Sequence, residues 1–224
     1  MQQTPLALKS NAAQAALAFI KPDSLIGIGS GSTVNEFIRL LAQSQLRLEG
    51  VVAGSKQTLE QLKKYGIPSM DLNQVGTLPI YIDGADEFNA QLQLIKGGGG
   101  ALTREKIIAY ASTFFLCIAD QSKKVTVLGR GPLPIEVIPM ARSYVARELV
   151  KLGGFPVYRE DFITDNGHVI LDTMHLDYSD PHNLERKLNN IPGLVCHGLF
   201  ADRPADRIVF ATDSGINHLV LKQD

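Results

Sequence analysis

The stretch LPIYIDGADEFNAQLQLIKGGGGALTREKII, Leu78 to Ile108, decides how the rest of the chain is read. It opens on an apolar, β-prone run, Leu78 to Ile82. The acidic residues Asp83, Asp86 and Glu87 begin where that run stops, so Asp83 and Asp86 are expected on the loop leaving a strand. Lys96 and the glycines Gly97 to Gly100 follow, and ALTREKIIAYAS then has the pattern of a helix carrying Glu105. Open α/β sheets bind ligands outside the carboxyl ends of their strands. Charge and glycine at this density make poor core material, and the stretch reads as the frame of an active site.

Upstream, Leu6 to Ile20 has helical spacing and carries Lys9. Leu25 to Ile28 is a short buried-strand candidate running straight into GSGSTVNEFIRLLAQ, a glycine and hydroxyl loop followed by an amphipathic helix. A helix N-terminus presents unpaired N–H groups and a positive dipole end, so Ser30, Gly31, Ser32 and Thr33 are candidates to cradle an anion. A dinucleotide is disfavoured. The third glycine of its fingerprint would fall on Ser32, and the strand Val51 to Ala53 ends in Gly54-Ser55 without an acidic residue for the ribose. With no G-x-x-x-x-G-K-[ST] either, a phosphate monoester is preferred to a nucleoside triphosphate. Taken alone, the same loop is equally a helix start capped by Ser or Thr with no ligand.

A helix at QTLEQLKKYG continues an alternation of helices and strands that implies a parallel sheet with crossover helices. Phe114 to Ala119 is the next strand, and Lys123 stands on the loop at its end. From about Gly131 prolines punctuate the chain, and the order becomes strand PLPIEVI, helix MARSYVARELVKLGG, strand Phe155 to Arg159, strand His168 to Met174, a helix around His182 to Leu188, and a strand near Leu194 to Leu199. Asp165-Asn166-Gly167 marks a hairpin, and β-α-β-β-α-β is the ferredoxin-like pattern. Asp206 to Thr212 is expected to return to the first sheet. The expected fold is α/β: a Rossmann-like parallel-sheet domain over residues 1–130 plus 205–224, with an inserted ferredoxin-like α+β domain over 131–204.

The 22 Lys and Arg nearly balance the 23 Asp and Glu, and a net charge of −1 provides no field for nucleic acid or an anionic membrane, which favours a small ligand. Cys117 and Cys196 lie far apart, with Cys117 inside the apolar run FFLCIA, so no disulfide scaffold is expected. There is no signal-peptide pattern at the N-terminus and no apolar run near the ~20 residues of a membrane span. A cytoplasmic protein is the expectation. The histidines His168, His175, His182, His197 and His218 have no metal-ligand spacing and are read as structural or surface residues.

GIGSGSTV at Gly27 to Val34, DGADE at Asp83 to Glu87, KGGGGALTREKI at Lys96 to Ile107 and PLPIEVIPMA at Pro132 to Ala141 together resemble type A ribose-5-phosphate isomerase, over almost the whole chain. Departures are slight: SGST stands where many members have TGST, and Gly100 where alanine is common. The resemblance implies a homodimer that interconverts ribose 5-phosphate and ribulose 5-phosphate through an enediol, in the non-oxidative branch of the pentose phosphate pathway, with no metal or other cofactor. It implies Glu105 as the general base, Lys96 as the cation beside the enediolate oxygen, and Asp83 and Asp86 lining the sugar, Asp83 assisting ring opening. Substrate and phosphate contacts would come from Ser30, Gly31, Ser32, Thr33, Gly84, Ala85, Gly97, Gly98, Gly99, Lys123 and Lys9. Glu87 is read as structural, and Glu105 alone would pass for a dipole partner in a first helical turn. Two alternatives stand beside this reading: another sugar-phosphate isomerase on the same sheet, and a non-catalytic sugar-phosphate sensor. The joint presence of Glu105, Lys96, Asp83 and Asp86 argues against the sensor.

Overall fold

The computed structural model describes residues 3–221. The chain begins with helix α1 (Pro5–Ala16), which has proline at its first position and the Thr4 side chain accepting from the Ala7 N–H at 3.2 Å. Strand β1 (Ser24–Ile28), helix α2 (Ser32–Gln43), strand β2 (Leu48–Ala53) and helix α3 (Lys56–Lys64) follow, then β3 (Ile80–Asp83). Short strands β4 (Glu87–Phe88) and β5 (Leu94–Ile95) precede α4 (Leu102–Tyr110) and β6 (Phe115–Asp120). Next come β7 (Leu133–Val137), α5 (Arg142–Lys151), β8 (Phe155–Tyr158), β9 (Val169–Met174), α6 (Pro181–Asn189) and β10 (Leu194–His197). The chain closes with β11 (Leu199–Phe200), β12 (Arg207–Thr212) and β13 (Gly215–Leu219).

Two compact units result. Among the described residues the first holds the chain up to Ala85, Arg104–Lys124 and the part from Ala205 onward. Its six-stranded sheet has the order β13-β12-β6-β3-β1-β2, parallel except for the edge strand β13, which runs antiparallel to β12. Buried aliphatic residues explain the parallel core: Ile26, Ile28, Val51, Ile80, Ile82, Leu116 and Ile118 pack with Val34, Phe37, Ile38 and Leu41, the helical stripe of α2. The chain leaves β1 toward β2 on one side, and leaves β3 toward β6 on the other. The carboxyl ends of β1 and β3 are therefore the topological switch point, where such sheets bind ligands.

The second unit holds Asp86–Thr103 and Val125–Pro204. Its four-stranded antiparallel sheet, β10-β7-β9-β8, with α5 after β7 and α6 after β9, has the ferredoxin-like order. The turn predicted at Asp165-Asn166-Gly167 is present: the Gly167 N–H donates to the Thr164 carbonyl at 2.9 Å, and Gly167 has φ +84°.

Some boundaries differ from the sequence reading. Residues 86–103 and 125–130, expected with the first sheet, pack in the second unit because β4 and β5 pair with β11 in a small sheet of their own. The strand expected over Leu194 to Leu199 is divided at Gly198, where a Cβ would fall 2.0 Å from the Lys96 carbonyl oxygen. β13 was not expected at all. Its residues are only half-buried or exposed and include Asn217 and His218, so it lacks the apolar signal of a strand.

Glu87 is structural, as expected of it. It is 3% exposed and accepts from the N–H groups of Gly129 at 2.8 Å, Arg130 at 3.2 Å and Gly131 at 2.5 Å. A buried carboxylate survives desolvation only with such donors. Glu87→Ala leaves those donors without their acceptor and is expected to lower the unfolding free energy by about 2–3 kcal/mol in urea denaturation. A loss under about 0.5 kcal/mol would assign the loop's order to other contacts.

Candidate active site

In the first unit the site is built at the switch point. Asp83 was expected on a loop. It is instead the last residue of β3 and fully buried. Its Oδ1 accepts from the backbone N–H groups of Ser30 at 3.0 Å and Gly84 at 2.7 Å, and its Oδ2 accepts from the Tyr81 hydroxyl. These donors offset the cost of burying the charge, which is why a carboxylate can end a core strand. Tyr81 went unnoticed in the sequence as a site residue. The signal was there: residues two apart in a strand share a face, so Tyr81 and Asp83 point the same way. Burial, and then the charges of Asp83 and Glu105, hold the Tyr81 phenol well above its ordinary pKa, which keeps it a donor.

Gly29 permits this arrangement, since a Cβ there would lie 1.8 Å from the Asp83 carboxyl carbon. Ser30, next along, joins both acids: its N–H reaches Asp83, and its hydroxyl donates to Glu105 Oε1 at 2.6 Å. The hydroxyl expected to face an anion thus reaches the expected base. Glu105 is 3% exposed in the first turn of α4, and a Cβ at Gly54 would sit 3.4 Å from its Cγ, so β2 also ends in a glycine where space is needed. Glu105 does stand in the first turn of α4, where the sequence offered a dipole partner, but it is buried and accepts a hydrogen bond from Ser30.

Gly31, at φ +101°, caps α2 and has no side chain to occupy the helix's first N–H groups. Gly31 and Ser32 are exposed and Thr33 half-buried, an open helix start of the kind that takes anions. Gly84 and Ala85, leaving β3, are half-buried. Lys123 lies in the turn Gln121–Lys123 at the carboxyl end of β6, the strand beside β3, and Lys9 lies on α1. Neither lysine is hydrogen-bonded to Ser30, Asp83 or Glu105 among the described residues.

The second unit carries the other residues named from the sequence. Lys96 is 3% exposed, its N–H donating to the Gly198 carbonyl at 2.9 Å and its Nζ lying 5.8 Å from the centre of the Phe200 ring. So deeply buried, Lys96 is not a solvated surface cation. Gly97 (φ +100°) and Gly100 (φ +79°) form a turn closed by the Gly100 N–H on the Gly97 carbonyl at 2.9 Å. Asp86 ties that turn down: its Oδ2 accepts from the Gly98 N–H at 2.8 Å, and its own N–H donates to the Ile95 carbonyl. Gly98 and Gly99 are exposed, and a Cβ at Gly99 would meet nothing within 4 Å. The chain's own packing therefore gives no reason for glycine at that position. Among the described residues no group of three or more His, Cys, Asp or Glu is placed to hold a metal ion.

The model of the family "Ribose 5-phosphate isomerase A (phosphoriboisomerase A)" matches residues 50–215. A ribose-5-phosphate isomerase A of Legionella pneumophila (strain Lens) is 57% identical over 212 residues, covering 95% of this chain and 98% of that protein. The chain belongs to the ribose-5-phosphate isomerase A family. Solved members of the family agree in fold: ribose 5-phosphate isomerase A from Neisseria gonorrhoeae superposes with a TM-score of 0.98 at 43% identity over 100% of both chains. A D-ribose-5-phosphate isomerase in complex with phospho-erythronic acid gives a TM-score of 0.93 at 37% identity, over 98% of this chain and 100% of its own.

Gly29→Ala tests the switch-point geometry. The added methyl must displace the Asp83 carboxylate and, with it, Ser30 and Glu105. Isomerase turnover is expected to fall by about 10²-fold. Wild-type turnover in a steady-state assay of this variant would show that Asp83 is not held where it is for catalysis.

Proposed function

We infer that this chain is an aldose–ketose isomerase interconverting D-ribose 5-phosphate and D-ribulose 5-phosphate through an enediol, a step of the non-oxidative pentose phosphate pathway. Family membership over nearly the whole chain supports the reaction. The observation that carries the mechanism is the buried chain Tyr81–Asp83–Ser30–Glu105 at the switch point.

The isomerisation moves one proton from C2 to C1 of the open-chain aldose and a second from O2 to O1, so that the O1 carbonyl becomes a hydroxyl and the C2 hydroxyl a carbonyl. Glu105 takes the C2 proton and returns it to C1. A carboxylate in a water-poor site suits that task, and the Ser30 hydroxyl fixes its orientation. Lys96 supplies positive charge to the enediolate oxygen, a charge that acts strongly because it is buried. Asp83, with the Tyr81 phenol as its standing donor, passes a proton during ring opening, the sugar taking the place of one of the donors that now fill it. Asp86 and the open N–H groups and carbonyls of Gly97 to Gly99 hold sugar hydroxyls, which accounts for glycine at position 99. Gly84 and Ala85 line the same substrate. Its phosphate rests on Ser30 to Thr33 at the start of α2, with Lys123 adding charge and Lys9 a weaker contribution. Lys96 is the cation of this route, and no step of it calls on a metal or organic cofactor.

The working form is a homodimer in the cytoplasm. The second unit exposes Met140 (94%), Val150 (59%), Phe155 (62%) and Val157 (50%), and Phe155 and Val157, two apart in β8, lie on one face of an edge strand. Apolar side chains in that number ask for a covering surface, and a second copy provides one. No helix among the described residues is long and apolar enough to cross a membrane. Near-neutral charge leaves a small sugar phosphate, not nucleic acid, as the partner.

With ribose 5-phosphate as substrate, Glu105→Gln is expected to lower kcat by about 10² or more with little change in KM. Near-normal turnover in an assay of ribulose 5-phosphate formation removes Glu105 from the base role. Phe155→Glu together with Val157→Lys is expected to shift the sedimenting species from dimer to monomer, and an unchanged dimer moves the interface elsewhere.

A further inference from the structure

Glu136 has no part in the chemistry above, yet it is the central acid of the second unit. It lies in β7, fully buried, between Ile170 of β9 and Cys196 of β10. Its carboxylate accepts from the Thr103 hydroxyl through Oε2. Through Oε1 it accepts from the Thr164 hydroxyl at 2.8 Å and the Asn166 amide at 3.1 Å, with His168 Nδ1 also 2.8 Å away. A well-packed apolar side chain of similar size would fill this place at lower desolvation cost, so the acid is to be explained by what it holds. Three of its partners stand on the connection between β8 and β9, and the fourth, Thr103, is the second residue of α4.

The same connection grips the segment before Thr103 at two further points. Arg159, held by Asp172 at 2.8 and 2.6 Å, donates from Nη1 to the Gly98 carbonyl at 3.1 Å. The Phe162 ring fills the space beside Gly100, where a Cβ would lie 2.2 Å from the ring at φ +79°. Gly98, Gly100 and Thr103 are thus each fastened by residues 159–168, directly or through Glu136. A stretch that is mostly glycine has few side chains with which to hold itself, and this fastening replaces them. Glu105 is two residues beyond Thr103 in the same helical turn.

We propose that Glu136, acting through the Thr103 hydroxyl, is a positioning residue of the isomerase: it sets the start of α4 and thereby the aim of Glu105. This rests on Glu105 as the base. A base misplaced by a fraction of an ångström slows proton abstraction while leaving phosphate and sugar contacts in place, so the effect falls on kcat.

The test uses the full chain, ribose 5-phosphate, and the same sugar deuterated at C2. Thr103→Val keeps the shape and loses the donor. It is expected to lower kcat by about tenfold with KM within about threefold, and to raise the primary deuterium isotope effect as proton transfer becomes slower. Thr103→Ser, which restores the hydroxyl, is expected to recover kcat to within about twofold. Glu136→Gln is expected to follow Thr103→Val. A role confined to folding would lower the melting temperature and leave kcat and the isotope effect of the folded enzyme unchanged, and that result in Thr103→Val overturns the proposal even where Glu136→Gln fails to fold. Glu105→Gln run alongside separates the two readings. If it is inactive while Thr103→Val behaves as wild type, only the positioning role falls; if it retains turnover, the base assignment falls and the positioning role with it.

Discussion

A carboxylate buried to zero exposure at the end of a central strand needs donors on every side, and Asp83 obtains them from the backbone of Ser30 and Gly84 and from the Tyr81 phenol. Much of the first unit's site follows from satisfying that one charge. It draws the loop after β1 against the end of β3, which requires glycine at 29, and it orients Ser30 so that the hydroxyl meets Glu105. The Tyr81 phenol stays protonated because burial and the neighbouring acids penalise its anion. The switch point of the sheet supplies the place, and hydrogen bonding of one acid supplies the order.

The second unit solves a related problem by the same means. Glycine turns leave main chain open to a ligand but bring no side chains for packing. Asp86 binds the Gly98 N–H, Glu87 gathers the N–H groups of residues 129–131, and Glu136 takes donors from the start of α4 and from the β8–β9 connection. Each of these acids is a tie between backbone segments before it is anything else. Charge-assisted bonds are short and directional, which suits them to fixing loops that apolar contact cannot grip.

Much of this was legible in the residues themselves. Alternating apolar runs and amphipathic helices announced a parallel sheet, the polar turn at Asp165-Asn166-Gly167 announced a hairpin, and the return of the last long strand to the first sheet was readable from its apolar character. The motifs SGST, DGADE and KGGGGALTREK fall, as read, at strand and helix ends, where open α/β sheets bind ligands. What escaped was short or nonlocal. β4, β5 and β11 are two residues each, too brief for a periodic signal, and β13 is too polar.

By itself the sequence determined the order and type of the major elements and the family resemblance, since these depend on local pattern and on motifs. Only the tertiary structure decided that Asp83 is a strand residue and not a loop acid, that Tyr81 serves it, that Ser30 spans from Asp83 to Glu105, and that Lys96 is buried. It also drew the line between the units within DGADE and again within KGGGGALTREK. These are consequences of satisfying buried charges with donors far away in the chain: 53 residues separate Ser30 from Asp83, and 75 separate it from Glu105. No window of sequence contains both ends of such a bond, and only the folded backbone brings them within hydrogen-bonding distance.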